Sequence, residues 1–341
     1  MIDFDYEALR SIGLNNTIIS RLAEAGAETP GGRLCRITEY QRDRITLHDG
    51  STETHARALP RLLAETALCV GDWVIADTNP LNEVWISRRL SPMNQFSRAD
   101  APPIASNIDT ALLVMGLDGD FNPRRIERYL ALAAAAEVTP LIVLSKPDLC
   151  TDLDGHVTAL TERLPSGTQF LLVNGTRPES VAQLEPWLGA GQTICLLGSS
   201  GAGKSTLTNA LAGAAQETGG VRRTDHRGRH TTTARSLHFC PSGACIIDTP
   251  GLRSLSPESL SSAFDDIESL AADCQFRDCR HEGEPGCAVV GHVDPDRLHN
   301  FHKLQREVRR NQQTALERIA ERQKWKSILK SAAVRSRLKR G

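Results

Sequence analysis

Gly198-Ser199-Ser200-Gly201-Ala202-Gly203-Lys204-Ser205-Thr206 fits the spacing GxxxxGK[ST] and stands between an apolar strand-like run and a helical one. Glycines at these positions let the backbone curl until its amides face phosphate oxygens, and the start of the following helix adds the positive end of its dipole. Lys204 would neutralise charge on the β- and γ-phosphates and face the charge that grows in phosphoryl transfer, while Ser205 would ligate Mg²⁺. A glycine-rich turn with an exposed lysine is the plain structural alternative, and it does not require a strand before and a helix after.

A nucleotide also needs a reader for its base. Ser145-Lys146-Pro147-Asp148 follows the apolar run Pro140 to Leu144. The Asp148 carboxylate can accept both the ring N–H and the exocyclic amine of guanine, a pair of donors that adenine does not offer. Lys146 can lie over the base plane. Taken alone, these four residues could equally be a turn that ends a strand. Downstream, Asp248-Thr249-Pro250-Gly251 ends another strand-like run, where Asp248 can hold Mg²⁺ through water and the Gly251 amide can sense a γ-phosphate. Between the two phosphate motifs lies Arg229-His230-Thr231-Thr232-Thr233, a threonine cluster suited to closing over Mg²⁺, with Thr232 the candidate. The residue after Gly251 is Leu252, which cannot hydrogen-bond an attacking water, so slow intrinsic hydrolysis is expected. His230 is the candidate for positioning that water, although the same imidazole suits contact with RNA.

A second chemistry is spelled by Cys274, Cys279, His281 and Cys287, spaced C-x4-C-x-H-x5-C. Four soft or borderline ligands in a compact, glycine-containing loop suit a closed, structural tetrahedral Zn²⁺ site, with His292 as the spare ligand. The cysteines at 35, 69, 150, 195, 240 and 245 lie in or beside apolar runs and read as small core residues, and a Cys240–Cys245 disulfide is not expected in a cytosolic chain.

These motifs need elements to hold them. With 341 residues the chain exceeds one ordinary domain, and 40% hydrophobic against 24% charged residues is a globular balance that argues against disorder. No apolar run reaches the roughly 18 residues of a membrane span, and the acidic start MIDFDYEALR is unlike a secretory leader, so a cytoplasmic protein is expected. Residues 1–28 read as an optional helix-rich extension. Residues 29–95 read as the next domain: the short β-rich runs RLCRI, RITLH, CVGDWVIAD and EVWISR recur from Arg33 to Arg88, for which a five-stranded OB-type barrel is the economical closure and a small sandwich the other arrangement. Ser91-Pro92 through Ala101-Pro102-Pro103 reads as a linker. Over 96–255, apolar strands at Thr110 to Met115, Pro140 to Leu144, Phe170 to Val173 and Thr193 to Leu197 alternate with helices at Pro123 to Glu137, Pro178 to Leu188 and Gly203 to Ala212. That alternation predicts a parallel α/β sheet, ending in a hairpin built from ARSLHFC and GACIIDT. Residues 256–341 read as helical.

The overall charge of −1 hides an asymmetry: residues 301–341 hold thirteen Lys or Arg against three Glu, a net of +10. Such a tail suits a polyanion, and Trp325, Ile328 and Leu329 interrupt its charges at helical spacing, as in a helix that docks on RNA or protein.

The set SKPD, VNG, GSSGAGKST, RHTTT and DTPG resembles the circularly permuted GTPases that depend on the small ribosomal subunit. The early GDW at Gly71-Asp72-Trp73 and the cysteine cluster extend the likeness over most of the chain. An ordinary GTPase has its phosphate loop first and its base reader last; here the order is reversed. The resemblance implies a multidomain α/β protein with an N-terminal OB-type barrel, a central permuted P-loop GTPase domain and a C-terminal helical zinc-binding domain. It further implies GTP hydrolysis to GDP stimulated by the small subunit and its rRNA, one zinc on the same three cysteines and histidine, Mg²⁺ with GTP, and a monomer. Ser145 departs from the asparagine that usually opens the base-reading motif; a hydroxyl cannot bridge as an amide does. Two other readings are an ATP-using P-loop enzyme and an RNA-binding zinc protein with a vestigial nucleotide site.

Overall fold

The computed structural model describes residues 4–26, 32–41, 44–98, 101–165, 167–213, 235–248, 260 and 263–312. Two short helices, α1 (Tyr6–Arg10) and α2 (Asn16–Glu24), come first. They are N-capped by the side chains of Asp5 and Asn15, which accept from the amides of Ala8 and Ile18. Strands β1 (Arg33–Gln41), β2 (Arg44–His48) and β3 (Glu53–Ala58), helix α3 (Pro60–Glu65), and strands β4 (Trp73–Thr78) and β5 (Val84–Arg89) follow. The strand order β1-β2-β3-β5-β4 closes on itself through a β1–β4 pairing, which makes the expected five-stranded barrel.

Side-chain alternation in β4 explains its two faces. Val74 and Ala76 point into the barrel with Cys35, Ile37, Leu47 and Ile86. Trp73 and Ile75 point outward and are covered by Leu9, Ile12, Leu14 and Ile18. The amino-terminal segment is therefore not an optional extension: its apolar residues seal the outside of the barrel.

A hairpin of β6 (Gln95–Arg98) and β7 (Ala101–Ser106) replaces the expected linker. Its Phe96, Ile104 and Ala105 join Ile108 and Val70 in the core of the next unit, which a free linker would not do. The remaining elements are β8 (Thr110–Gly116), α4 (Pro123–Ala135), β9 (Thr139–Ser145), α5 (Leu153–Thr161), β10 (Phe170–Val173), α6 (Pro178–Val181), β11 (Thr193–Gly198) and α7 (Lys204–Ala212). The hairpin β12 (Arg235–Phe239) with β13 (Cys245–Asp248), then α8 (Asp265–Ala271) and α9 (Pro295–Gln312), complete the described chain. The expected single helix from Pro178 is α6 followed by a 3₁₀ segment, Ala182–Trp187; Pro186 lacks the amide that an α-helix would need there.

Strands β10-β9-β8-β11-β13 run parallel, and β12 adds antiparallel and pairs with β1, so sheet and barrel are hydrogen-bonded into one surface. Both faces of the sheet are covered. Ala111, Leu113 and Met115 face α4, α8 and α9, whereas Leu112 and Val114 face α6, its 3₁₀ extension and α7. The same alternation sends Cys240 and Cys245 into separate clusters on opposite faces, and burial pushes their thiols up to about 12 and about 11. Neither these two nor the other seven cysteines are joined in a disulfide.

Two buried charges fasten the units. Arg36 in β1 is 0% exposed; its guanidinium donates to the carbonyls of Ile12 (2.6 Å), Asn107 (3.2 Å) and Gly71 (3.4 Å) and lies 5.5 Å from the Trp73 ring centre. One cation thus joins the amino-terminal segment, the barrel and the entry to β8. Gly13 has to be glycine here, since a Cβ would meet the guanidinium at 1.8 Å and its φ is +96°. Asp72, next along GDW, accepts from Ser106 Oγ (2.6 Å), Arg89 (2.7 Å) and the Cys69 amide (2.8 Å).

On the other side, Glu127 of α4 is 1% exposed and accepts from Arg163 (2.8 Å), Arg297 (3.0 Å) and Asn300 (2.5 Å). Arg297 continues to Asp266 at 2.6 Å and to the Ala263 carbonyl at 3.1 Å, drawing α9 and α8 onto α4. Arg128 adds a paired contact with Glu307 at 2.6 and 2.7 Å. Without the carboxylate, Arg163 would keep Asp296 and Arg297 would keep Asp266, but each would lose one charged hydrogen bond; at about 1.5–3 kcal/mol for each, the two losses come to about 3–5 kcal/mol. Glu127→Ala should therefore lower the urea unfolding midpoint by an amount worth about 3–5 kcal/mol, and Glu127→Gln, which keeps an acceptor oxygen, by clearly less. A change within about 0.5 kcal/mol for the alanine variant would show that α9 is held by its apolar contacts alone.

Candidate nucleotide site and metal centre

Parallel pairing sets where the motif loops emerge. Ser145 lies opposite Gly116 in the β8–β9 ladder, and Gly198 lies opposite Val114 in the β8–β11 ladder, so the three strands end within two residues of one another at the same edge. Loops leaving the carboxyl ends of such strands share one crevice. Asp248 closes β13 on the other side of β11, where Ile247 pairs with Cys195, so its carboxylate sits at the same edge.

The glycine-rich loop curls from β11 into α7. Gly201 and Gly203 have φ of +86° and +91°, which glycine adopts without strain, and Gly203 caps α7. At Gly198 a Cβ would meet the Val114 carbonyl at 2.5 Å, so only glycine lets the loop start this close to β8. Lys204 Nζ donates to the carbonyls of Gly198 (3.0 Å) and Ser199 (2.7 Å), which sets its ammonium across the loop. Ser200, Ser205 and Thr206 are exposed, while Ala202 is buried beneath them.

On β9, Ser145 is buried and its hydroxyl donates to the Ala202 carbonyl at 2.6 Å. One hydroxyl thus links the base-reading turn to the phosphate loop, with the single hydrogen bond that a serine can donate. Lys146 takes a left-handed φ of +57°, and Pro147 starts a 3₁₀ turn that presents Asp148 to solvent. Asn174 of the VNG motif donates to Asp148 Oδ1 at 2.9 Å and fixes that carboxylate. At Gly175 beside it, a Cβ would lie 3.3 Å from Thr206 Cγ2 and 3.4 Å from Leu207, so the VNG turn runs close against the start of α7.

Two acidic side chains at this edge were not found in the sequence. Asp118 pairs with Lys146 Nζ at 2.6 Å, and Asp120 accepts from Ser199 Oγ. Both sit on the loop after β8, and only the strand order, with β8 between β9 and β11, brings that loop here. No local pattern marks them. His230, Thr232, Gly251, Leu252 and the basic tail beyond 312 lie outside the described residues.

Cys274, Cys279, His281 and Cys287 come together between α8 and α9, their ligand atoms all within 4.8 Å of one another. Individual separations are 3.9 Å for Cys274 Sγ to Cys287 Sγ, 3.6 Å for Cys274 Sγ to His281 Nδ1 and 3.4 Å for His281 Nδ1 to Cys287 Sγ. Backbone amides of Ala288 and Val290 point at the sulfurs of Cys274 (3.3 Å) and Cys287 (3.5 Å), an arrangement that favours thiolates. Such a group could hold a metal ion. His292 is outside the cluster.

Comparison with known proteins places this geometry. The model of the RsgA GTPase family matches residues 87–258, and a model described as a 50S ribosome-binding GTPase matches 193–324, from β11 onward. The small ribosomal subunit biogenesis GTPase RsgA of Xylella fastidiosa is 48% identical over 70% of this chain and 75% of its own length. The protein of that name from Xanthomonas axonopodis pv. citri is 40% identical over 96% of both chains. Among solved structures, YjeQ from Thermotoga maritima superposes with a TM-score of 0.61 over 81% of this chain and 98% of its own, at 23% identity. YloQ, a circularly permuted GTPase, gives 0.59 over 84% and 99%, also at 23% identity. The structural likeness shows a shared permuted fold, and the sequence matches go further: this chain belongs to the RsgA GTPase family.

Proposed function

We propose that this chain hydrolyses GTP to GDP and phosphate, and that it binds the small ribosomal subunit and acts in its late maturation. The observation that carries the nucleotide half is the Ser145–Ala202 bridge, which holds a guanine-type base reader against a phosphate loop at one sheet edge. In this reading Asp148, oriented by Asn174, pairs with the guanine edge, and Lys146 covers the base plane. The phosphate-loop amides of residues 198 to 206 and the start of α7 take the phosphates, and Lys204 turns from its own loop carbonyls to the β- and γ-oxygens. Mg²⁺, when bound with GTP, spreads the charge of the transferring phosphoryl group. Ser205 would ligate it, with Asp248 reaching it through water. Thr232, Gly251 and His230 complete the proposed switch set.

With Leu252 unable to orient water, the free protein should turn over slowly, and the subunit's rRNA, engaged by the barrel and the tail, would complete the site. A cytoplasmic monomer fits this role; among the described residues no helix is long and apolar enough to cross a membrane. The relatives' names give the small subunit, whereas the shorter family-model match is named for the large one, so the deciding experiment uses both. Phosphate release from GTP by the full-length protein should rise at least about tenfold with added small subunits, and much less with large subunits. Equal stimulation by both, or none by either, would overturn the ribosomal assignment. Release from ATP at the same rate would favour the ATP-using reading.

For the metal, zinc is proposed. Tetrahedral bonds of about 2.3 Å to sulfur and about 2.0 Å to nitrogen give sulfur–sulfur edges near ~3.8 Å and sulfur–nitrogen edges near ~3.6 Å. The separations of 3.9, 3.6 and 3.4 Å among Cys274, His281 and Cys287 fit one face of that polyhedron, and Cys279 lies within 4.8 Å of all three. With four protein ligands and no open position, the ion is structural and contributes to folding. Purified protein should hold about one zinc per chain, and Cys279→Ser should lose it and unfold at lower temperature. A metal-free wild type with an unchanged melting midpoint in chelator would remove zinc from the account.

A further inference from the structure

The loop joining β8 to α4 is the unassigned element of the nucleotide edge. Asp118 uses its two oxygens for different ends: Oδ2 takes Lys146 Nζ at 2.6 Å, and Oδ1 takes the amide of Asp120 at 3.1 Å. Asp120 in turn accepts from Ser199 Oγ with Oδ2, and from Arg125 Nη1 at 2.6 Å with Oδ1. A continuous run of contacts therefore leads from the base-reading turn, through two carboxylates, to the second residue of the phosphate loop.

The sequence around the loop is fitted to this run. At Gly116 a Cβ would meet Asp118 Oδ1 at 2.6 Å, so a side chain there would expel the carboxylate. Charges also match. Asp118 faces Lys146 and Asp120 faces Arg125, so neither carboxylate confronts an incoming polyphosphate as an unbalanced negative charge. Hydrogen bonding to Lys146 holds the Asp118 carboxyl below its ordinary value, so the pair stays ionised. About 30% of each side chain remains exposed, and ion pairs of that kind add little to fold stability. What the pair can do is fix direction: the lysine stem follows its tethered ammonium, and that stem is the surface against which a base would lie.

We propose that Asp118 and Asp120 are positioning residues for guanine nucleotide, forming a two-carboxylate clip that holds the base-reading turn and the phosphate loop at one separation. The proposal rests on the guanine-nucleotide reading of this site. Neither residue touches the ligand; each acts through a neighbour, Lys146 or Ser199. Loosening either end lets the two halves of the site move apart, which shortens the life of the complex more than it slows encounter.

The test is stopped-flow dissociation of a fluorescent GDP from full-length wild type and from Asp118→Ala, Asp120→Ala, Ser199→Ala and the Asp120→Ala/Ser199→Ala double variant. Loss of one charge-assisted hydrogen bond should speed dissociation about tenfold in each single variant, with association and melting midpoints little changed. The double variant should dissociate no faster than Asp120→Ala alone, because both substitutions remove the same contact. A merely structural role would instead lower the melting midpoint and leave GDP dissociation unchanged. Unchanged dissociation in folded variants overturns the clip while leaving the nucleotide site intact. Failure of the wild type to bind GDP overturns the reading beneath it. Should either aspartate variant fail to fold, Ser199→Ala, which loses only a hydroxyl, carries the decision by itself.

Discussion

The parallel ladder through β9, β8 and β11 is the constraint on which the site depends. Because Ser145 pairs with Gly116 and Val114 with Gly198, the base-reading turn and the phosphate loop leave one edge with a stagger of only two residues. Slip β9 or β11 by one residue against β8 and its side chains change face, sending Leu141 and Val143, or Ile194 and Leu196, into the wrong cluster. The apolar alternation that builds the two cores therefore also sets the position of the nucleotide loops. Chain order is irrelevant to this: strand ends meet at the edge whichever loop comes first, which is why permutation preserves the chemistry.

Permutation does change what the site is joined to. The phosphate-loop half runs on through β13 toward the Cys₃His cluster, while the base-reading half is entered from the barrel through GDW and the β6–β7 hairpin. Both junctions are built from buried charge. Arg36 gathers carbonyls from three segments, and Glu127 gathers Arg163, Arg297 and Asn300 from α5's end and α9. Buried polar groups of this kind tolerate few geometries, because each unmade hydrogen bond costs about 1–3 kcal/mol. Arg36 thus fastens the barrel, and Glu127 the helices that flank the Cys₃His cluster, to elements of the sheet domain.

Where motif and element are local, the sequence is legible. Phe170 to Val173 and Lys204 to Ala212 are read almost residue for residue, because an apolar run and a helix start are written in adjacent residues. The Cys₃His spacing is equally local. What escapes is non-local. Pro102 and Pro103 read as a linker because the partners that bury Phe96 and Ile104 lie in other strands. Strand β3, ETHARA, escapes because charged and polar residues occupy most of it and only Ala56 is buried. Helix α5 is hidden by Gly155 and a weak apolar stripe. Asp118 and Asp120 are ordinary loop acids until strand order sets them beside Lys146 and Ser199. Ser145 can make one hydrogen bond where an amide would bridge, and only the fold shows that its partner is the Ala202 carbonyl of the phosphate loop.

The central claim is that these permuted loops make a guanine-reading site with Asp148 as the reader. Asp148→Asn tests it most directly, since an amide oxygen can still accept from Asn174 while the amide N–H₂ turns a double acceptor into a donor. Guanine then meets a donor at its amine, whereas xanthine, with a carbonyl there, finds a partner. Titrating the variant with GDP and XDP should show GDP affinity lowered by at least about a hundredfold and XDP bound more tightly than by wild type. Retained GDP affinity with no gain for XDP would mean that Asp148 does not read the base and that the site is not the one these loops were taken to form.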